Sequence, residues 1–207
     1  MAFECWAKIA RVSLRHNFLP HLLAALAVVL FAPVVFEISS LDGRLAAQPL
    51  EMLLSLTGAI LLTPVFLPEQ DENIRDLIRS KRTDYLAVCV LRTACSTAAL
   101  AVILGGFTVL MRVCESAVTR EHFFGAFASA LFLGALGFFG AGVSGNTTVG
   151  YMTAMIYYIL NFTLKDKLGG LYLFSMSTGD GGGKLFLLAA AVLVIAATFG
   201  WKKLRED

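Results

Sequence analysis

Apolar segments of about bilayer-spanning length recur along this chain, and they restrict what it can fold into more than any other feature. Six of them lie at about residues 19–36, 50–67, 85–111, 123–143, 149–164 and 185–201. Hydrophobic residues make up 57% of the sequence and charged residues 15%, a balance typical of chains that fold in lipid. We therefore predict an all-α, polytopic membrane protein with six transmembrane helices. Residues 1–207 form one domain, because no polar segment is long enough to fold alone.

Residues 1–18, ahead of the first span, have the pattern of an amphipathic helix. Apolar and aromatic residues recur there at helical spacing, and basic residues supply another side. This pattern favours an N-terminal helix lying in the membrane interface. The alternative is that these residues are the polar start of the first span.

The basic residues predict the orientation of the spans. With six spans and both termini in the cytoplasm, the inner segments carry ten Lys and Arg residues and the outer loops carry six, with Arg92 left out as membrane-proximal. Such an excess marks the cytoplasmic side. We expect a multi-pass protein of the plasma membrane of a bacterium. The net charge of +2 is too small to favour a nucleic-acid partner.

The densest charged run, LPEQDENIRDLIRSKRTD at residues 67–84, lies between the second and third spans. Two acid-to-base pairs follow helical spacing there and stabilise a surface helix by roughly 0.2–0.5 kcal/mol each: Asp71 with Arg75, and Asp76 with Arg79. Its aliphatic residues share one helical face: Ile74, Leu77 and Ile78. The segment 68–84 is thus either an ordinary cytoplasmic loop or a short coupling helix that docks on a partner and passes its motion to the spans.

This run resembles the segment that follows the second span in membrane (permease) subunits of ATP-binding cassette exporters of the type-2 class. The later run Gly140–Phe162, GAGVSGNTTVGYMTAMIYYILNF, resembles the fourth-to-fifth turn and the fifth span of that class. The layout is also similar: an interfacial helix, six spans, and a glycine-broken, re-entrant-like apolar connector at 165–184 before the last span.

The resemblance implies a transport function for this chain. It would form the translocation path of an ATP-driven exporter, paired in the membrane lipid with a second copy or a paralogue. A separate ATP-binding subunit would bind ATP and Mg²⁺ and dock on the coupling helix. The chain lacks a GxxxxGK[ST] loop, so we predict no enzymatic activity and no cofactor of its own. The alternative is a non-transporting membrane protein, such as an immunity, structural or sensor subunit, whose cytoplasmic helix docks another protein.

Two sets of residues are assigned to this function. The contact with the ATP-binding subunit is assigned to charged and aliphatic residues of the coupling segment: Glu69, Asp71, Glu72, Ile74, Arg75, Leu77, Ile78 and Arg79. The candidate substrate path is assigned to polar residues within spans, because such groups are costly in lipid alone: Ser55, Thr57, Thr153, Tyr157 and Asn161. Glu51, at the entrance of the second span, is expected to stay near the headgroups.

Three short motifs suggest other chemistry, and we assign none of it. Residues 142–145 match the GxSG of intramembrane serine proteases, but no histidine follows Ser144 to act as its base. His122 beside Glu121 fits a helix cap better than a metal site. Residues 146–148 match a glycosylation sequon but fall on the predicted inner face. We predict no catalytic residue and no metal.

Overall fold

A computed structural model describes residues 18–70, 85–179 and 182–206 of the chain. Within these ranges the backbone is helical or forms turns and loops, and none of the described residues lies in a strand. The predicted all-α fold class is confirmed. The interfacial helix predicted for residues 1–18 lies outside the described residues except for its last position.

The helices follow the predicted spans closely. In chain order they are α1 (Leu19–Val35), α2 (Gly43–Gln48), a π-helical turn (Pro49–Leu53), α3 (Ser55–Leu62), a 3₁₀ segment (Thr63–Glu69), α4 (Tyr85–Val113), α5 (Arg120–Ser144), α6 (Thr147–Leu164), a second 3₁₀ segment (Lys165–Leu171), α7 (Ser175–Thr178) and α8 (Lys184–Glu206). The elements from Gly43 to Glu69 follow one another almost without interruption, and together we call them the broken helix.

Four of the described helices are long and apolar enough to cross a membrane: Gly43–Pro68, Leu86–Val113, Arg120–Ser144 and Lys184–Leu204. This makes the chain a membrane protein by the length and composition of its helices. α1 is a shorter apolar helix of 17 residues, and α6 has 18 residues. Six membrane crossings therefore stay a prediction.

The predicted outer loops meet at one end of the bundle. The loop after α1 pairs with the loop after α4: Ser40 N–H donates to the Cys114 carbonyl over 3.0 Å, and Ala117 N–H donates to the Leu41 carbonyl over 2.9 Å. The single turn α7, between α6 and α8, also lies at this end, because it packs against α2. We call residues 165–184 the connector and this end the connector end.

The described parts of the predicted inner segments meet at the opposite end. Gln70 contacts the turn between α5 and α6, where its Nε2 donates to Thr147 Oγ1 over 2.8 Å. Lys202, near the end of α8, lies 4.3 Å from the centre of the Phe66 ring. The helices thus alternate in direction along the chain, as the predicted topology requires. Which end faces the cytoplasm stays a prediction.

One predicted boundary is wrong. The second apolar segment is predicted at about residues 50–67, but its helix already begins at Gly43, as α2. The polar run around Asp42 and Arg44 suggests a loop, whereas Ala46 and Ala47 are good helix formers and are fully or almost fully buried. Tertiary packing of this alanine face, partly against α7, therefore begins the helix earlier than hydropathy indicates.

α5 is the centre of the bundle and the most buried of the four long apolar helices. It packs against α3, α6 and α8 along a row of small residues. A Cβ added to Gly58 of α3 would lie 1.8 Å from the Ala130 carbonyl oxygen of α5, and one added to Gly150 of α6 would lie 2.5 Å from the Gly137 carbonyl oxygen. The backbones touch because side chains are absent there, and the sequence of α5 is rich in glycine and alanine.

The closeness of α3 and α5 predicts a position-specific cost for adding a methyl group. We expect Gly58→Ala to lower the free energy of unfolding by roughly 1–3 kcal/mol, since its Cβ would overlap the α5 backbone. The measurement is thermal loss of helical circular dichroism in detergent.

Gly106 of α4 provides the matched control, because nothing lies within 4 Å of a Cβ added to it. Gly106→Ala should leave the unfolding temperature unchanged or raise it, as alanine favours a helix more than glycine does. Equal effects at the two positions would contradict the described packing of α3 on α5.

Candidate functional site

Most of the predicted coupling contact lies outside the described residues. Seven of the eight assigned residues fall within 71–84, and only the backbone of Glu69 is described, as the last residue of a 3₁₀ segment. The assignment therefore stays a prediction. The described chain does show how both flanks of 71–84 are attached to the bundle.

The flanks of 71–84 are joined to each other and to the turn between α5 and α6. On the leading flank, Gln70 Nε2 donates to Thr147 Oγ1 and, over 3.4 Å, to the Gly145 carbonyl. On the trailing flank, Arg92 Nη1 of α4 donates to the Val65 carbonyl over 3.4 Å. These bonds connect the chain on either side of 71–84 to the broken helix and to the turn between α5 and α6.

Three of the five candidate path residues bond within their own helical segments. Ser55 Oγ donates to the Met52 carbonyl over 3.3 Å, Thr57 Oγ1 donates to the Leu54 carbonyl over 2.6 Å, and Thr153 Oγ1 donates to the Val149 carbonyl over 2.8 Å. These bonds satisfy the hydroxyl donors locally. Whether any of these residues lines a path stays a prediction.

The other two, Tyr157 and Asn161 of α6, bind the connector. Tyr157 OH donates to the Leu171 carbonyl over 2.6 Å. The buried Asn161 side chain accepts from Leu173 N–H over 2.8 Å through Oδ1 and donates to the Tyr157 carbonyl over 2.8 Å through Nδ2. The two residues lie one helical turn apart, so they present polar groups to successive parts of the connector.

The middle of the connector is buried inside the protein. Tyr172 is 8% exposed, Leu173 0% and Phe174 1%, and these residues precede the single turn of α7. Non-helical backbone in an apolar interior needs internal partners for its amides and carbonyls. Tyr157 and Asn161 provide two of these partners.

A carboxylate provides two more. Glu51 of the π-helical turn is 0% exposed, and its Oε1 and Oε2 accept from the N–H groups of Met176 and Ser177, each over 2.9 Å. Glu51 thus binds two N–H groups of α7 that have no acceptor within so short a helix. The carboxylate was expected near the headgroups and at the start of its own helix. It is buried within the protein and binds the N-terminus of α7 as well, and its level relative to the headgroups stays a prediction.

Lys184, the first residue of α8, completes the arrangement. Its Nζ lies 2.5 Å from Glu51 Oε1, 2.7 Å from Ser129 Oγ of α5 and 2.5 Å from the Leu173 carbonyl oxygen. An ammonium group has three N–H donors, and each has an acceptor here. Ser129 Oγ in turn donates to the Leu173 carbonyl over 2.9 Å, so that carbonyl accepts two bonds. Lys184 had been counted among the outer-loop residues, but it is 8% exposed.

The three side chains Glu51, Ser129 and Lys184 form what we call the anchor cluster. Its two formal charges cancel, and its donors are bonded to acceptors within the cluster or the connector. A buried ion pair needs this degree of hydrogen bonding to persist in an apolar interior. Sequence reasoning missed the cluster, although Glu51 and Lys184 are charged residues at the ends of apolar runs, and such positions are a general signal for pairing.

Tyrosines of α6 also satisfy the irregular backbone of the broken helix. Tyr158 OH donates to the Met52 carbonyl in the π-helical turn over 2.6 Å. Tyr151 OH donates to the Ile60 carbonyl over a long 3.5 Å. In a regular helix the Ile60 carbonyl would accept from residue 64, but Pro64 has no N–H. One face of α6 therefore supports both the broken helix and the connector.

The short motifs have structural roles in the described chain. Ser144 Oγ donates to the Gly140 carbonyl over 2.6 Å, and Gly145 ends α5 with a φ of 71°, a left-handed conformation that glycine adopts readily. His122 Nε2 lies 2.8 Å from the Gly43 carbonyl, so this nitrogen carries the proton, and His122 Nδ1 accepts from Thr119. No group of three or more potential metal ligands occurs among the described residues.

No protein-family model, no curated protein and no solved structure matches this chain.

The bond lengths predict different roles for two tyrosines on the same helix. We expect Tyr157→Phe to lower the free energy of unfolding by about 1–3 kcal/mol, because the Leu171 carbonyl would lose a short bond in an apolar interior. Tyr151→Phe is the matched control, and its effect should be smaller, since a bond of 3.5 Å is weak.

The measurement is chemical unfolding of both variants in detergent, followed by tryptophan fluorescence and circular dichroism. An effect of Tyr151→Phe as large as that of Tyr157→Phe would contradict the role assigned to the Tyr157 hydroxyl.

Proposed function

We propose that this chain is the membrane subunit of an ATP-driven exporter of the type-2 ATP-binding cassette class. In this proposal six helices cross the plasma membrane: α1, the broken helix, α4, α5, α6 and α8. Both termini are cytoplasmic. Two such subunits, identical or paralogous, enclose the translocation path, and each docks residues 68–84 on an ATP-binding subunit that holds ATP and Mg²⁺.

The observation that carries the proposal is the attachment of the charged segment to the bundle. A segment that receives work must be joined to several helices, or its motion will be lost in a flexible loop. Gln70 ties its leading flank to Thr147, and Arg92 ties its trailing flank to the Val65 carbonyl. These bonds involve four helices: the broken helix, α4, α5 and α6. An ordinary loop would not need such connections, so the bonds support a role in transmission.

The connector supports the same proposal from the other end of the bundle. Its apolar middle enters the protein interior instead of crossing the surface, and α6, α5 and the broken helix all bind it. In this proposal the connector is re-entrant and closes the connector end of the bundle. In an exporter with cytoplasmic termini, that end faces outward, where the substrate must leave.

The partner can be tested directly. The chain, carrying an affinity tag, is extracted in mild detergent from membranes of the cell that makes it, and co-purifying proteins are identified by mass spectrometry. We expect an ATP-binding cassette subunit in stoichiometric amounts, and ATP hydrolysis by the complex after reconstitution into lipid vesicles. Recovery of a different protein, or of the chain alone from intact membranes, would favour the non-transporting alternative.

The docking segment can be tested by reversing its charges. We expect Asp71→Lys with Glu72→Lys to weaken binding of the ATP-binding subunit by about tenfold or more, because close charge pairs at an interface are converted to repulsion. Membrane insertion should be unchanged, as both residues belong to a polar segment. Binding is measured by co-purification, and coupling by ATP hydrolysis in vesicles.

The matched control reverses two acidic residues at the connector end, Glu37→Lys with Glu115→Lys. Both residues are exposed, and the change in net charge is the same. This variant should keep the partner and the ATP hydrolysis of the parent. Unchanged binding in the Asp71/Glu72 variant, or an equal loss in the control, would contradict the assigned docking segment.

A further inference from the structure

The anchor cluster does more than fill space in the bundle, because its side chains bind the backbone of the connector. Glu51 and Lys184 are both buried, and a buried ion pair is costly unless its other donors and acceptors are also hydrogen-bonded. The connector provides these hydrogen bonds: two N–H groups of α7 donate to Glu51, and the Leu173 carbonyl accepts from Lys184. Withdrawing the connector would therefore leave the ion pair poorly solvated.

The connector also depends on the ion pair. Bonds from a backbone N–H to a carboxylate, and from an ammonium group to a carbonyl, are charge-assisted and stronger than bonds between neutral groups. Three such bonds hold the stretch Leu173–Ser177. Its other bonds to the rest of the bundle, from Asn161 and Ser129, are between neutral groups.

The backbone on both sides of this stretch is suited to a local rearrangement. Gly169 has a φ of 52° and Gly179 a φ of 94°, so each adopts a left-handed conformation that other residues rarely take. Three further glycines lie between Gly179 and Lys184 in the sequence. Residues 172–178 are thus a short apolar piece between two glycine-containing joints.

We infer that Glu51 and Lys184 act as a latch that holds residues 172–178 inside the bundle. Loss of either charge releases this piece to water at the connector end while the helices stay packed. The packing of α5 against α3 and α6 uses glycine contacts that include none of the three cluster side chains, so it does not need the ion pair. The latch does not rest on the proposed ATP-binding partner, and it can be tested on the purified chain alone.

The reporter is a thiol introduced by the substitution Ser175→Cys. Ser175 is 7% exposed, and its hydroxyl has no hydrogen-bond partner among the described residues, so the substitution removes no such bond. The reaction of the thiol with a water-soluble maleimide is followed in detergent by site-resolved mass spectrometry. Cys89, a buried native residue of α4, is measured in the same sample and reports opening of the bundle as a whole.

In the parent, which carries Ser175→Cys alone, the introduced thiol and native Cys89 should both react slowly. We expect Glu51→Gln or Lys184→Met to raise the rate at position 175 by at least about tenfold, the change expected on losing charge-assisted bonds. The rate at Cys89 should stay the same. Glu121→Gln, the same chemical change at an exposed carboxylate of α5, should leave both rates at their parent values.

A double variant covers the case in which a single unpaired charge prevents folding. Glu51→Gln with Lys184→Met leaves no charge in the anchor cluster, so the bundle should fold, and position 175 should still react at least about tenfold faster than in the parent. A slow rate at position 175 in this folded double variant would overturn the latch. An equal rise at Cys89 would overturn it too, because the ion pair would then support the whole bundle.

Discussion

The structure depends on the requirement that every backbone N–H and C=O group in an apolar interior must find a partner within the protein. Regular helices meet this requirement by themselves, whereas the π-helical turn, the 3₁₀ segments and the connector do not. Side chains meet it for them: Tyr158 binds the π-helical turn, Tyr157 and Asn161 bind the connector, and Glu51 binds α7. These four side chains therefore lie where regular helical hydrogen bonding is interrupted.

The small residues of α5 make these long-range bonds possible. Because α3 and α6 approach the α5 backbone closely, side chains of α6 reach both the broken helix and the connector. The same closeness brings Ser129 of α5 within 2.7 Å of Lys184 at the start of α8. Close packing and polar bonding are thus two results of one composition, rich in glycine and alanine at the centre and in tyrosine beside it.

Hydropathy predicted the positions of the helices well, because insertion of an apolar run into lipid depends mainly on the composition of that run. It failed at Gly43, where packing of Ala46 and Ala47 begins a helix within a polar run. The sequence marks Glu51 and Lys184 as charged residues at the ends of apolar runs, but it does not show that they meet. Glu51 lies 125 residues before Met176, and its carboxylate accepts a hydrogen bond from the Met176 N–H. The hydrophobic periodicity of a segment does not specify which distant segment will meet a carboxylate. Tyr157 and Asn161 were recognised as unusual within a span, but their partner in the connector was not.

The 3₁₀ segment Thr63–Glu69 makes the broken helix longer than a regular α-helix with the same number of residues. A 3₁₀ helix rises about 2.0 Å per residue and an α-helix about 1.5 Å, so these seven residues span about 3.5 Å more than seven residues of α-helix. Pro64 and Pro68 disfavour a continuous α-helix here, because a proline ring clashes with the carbonyl four residues earlier. The 3₁₀ pitch therefore places the start of the charged run farther along the helix axis than an uninterrupted α-helix would.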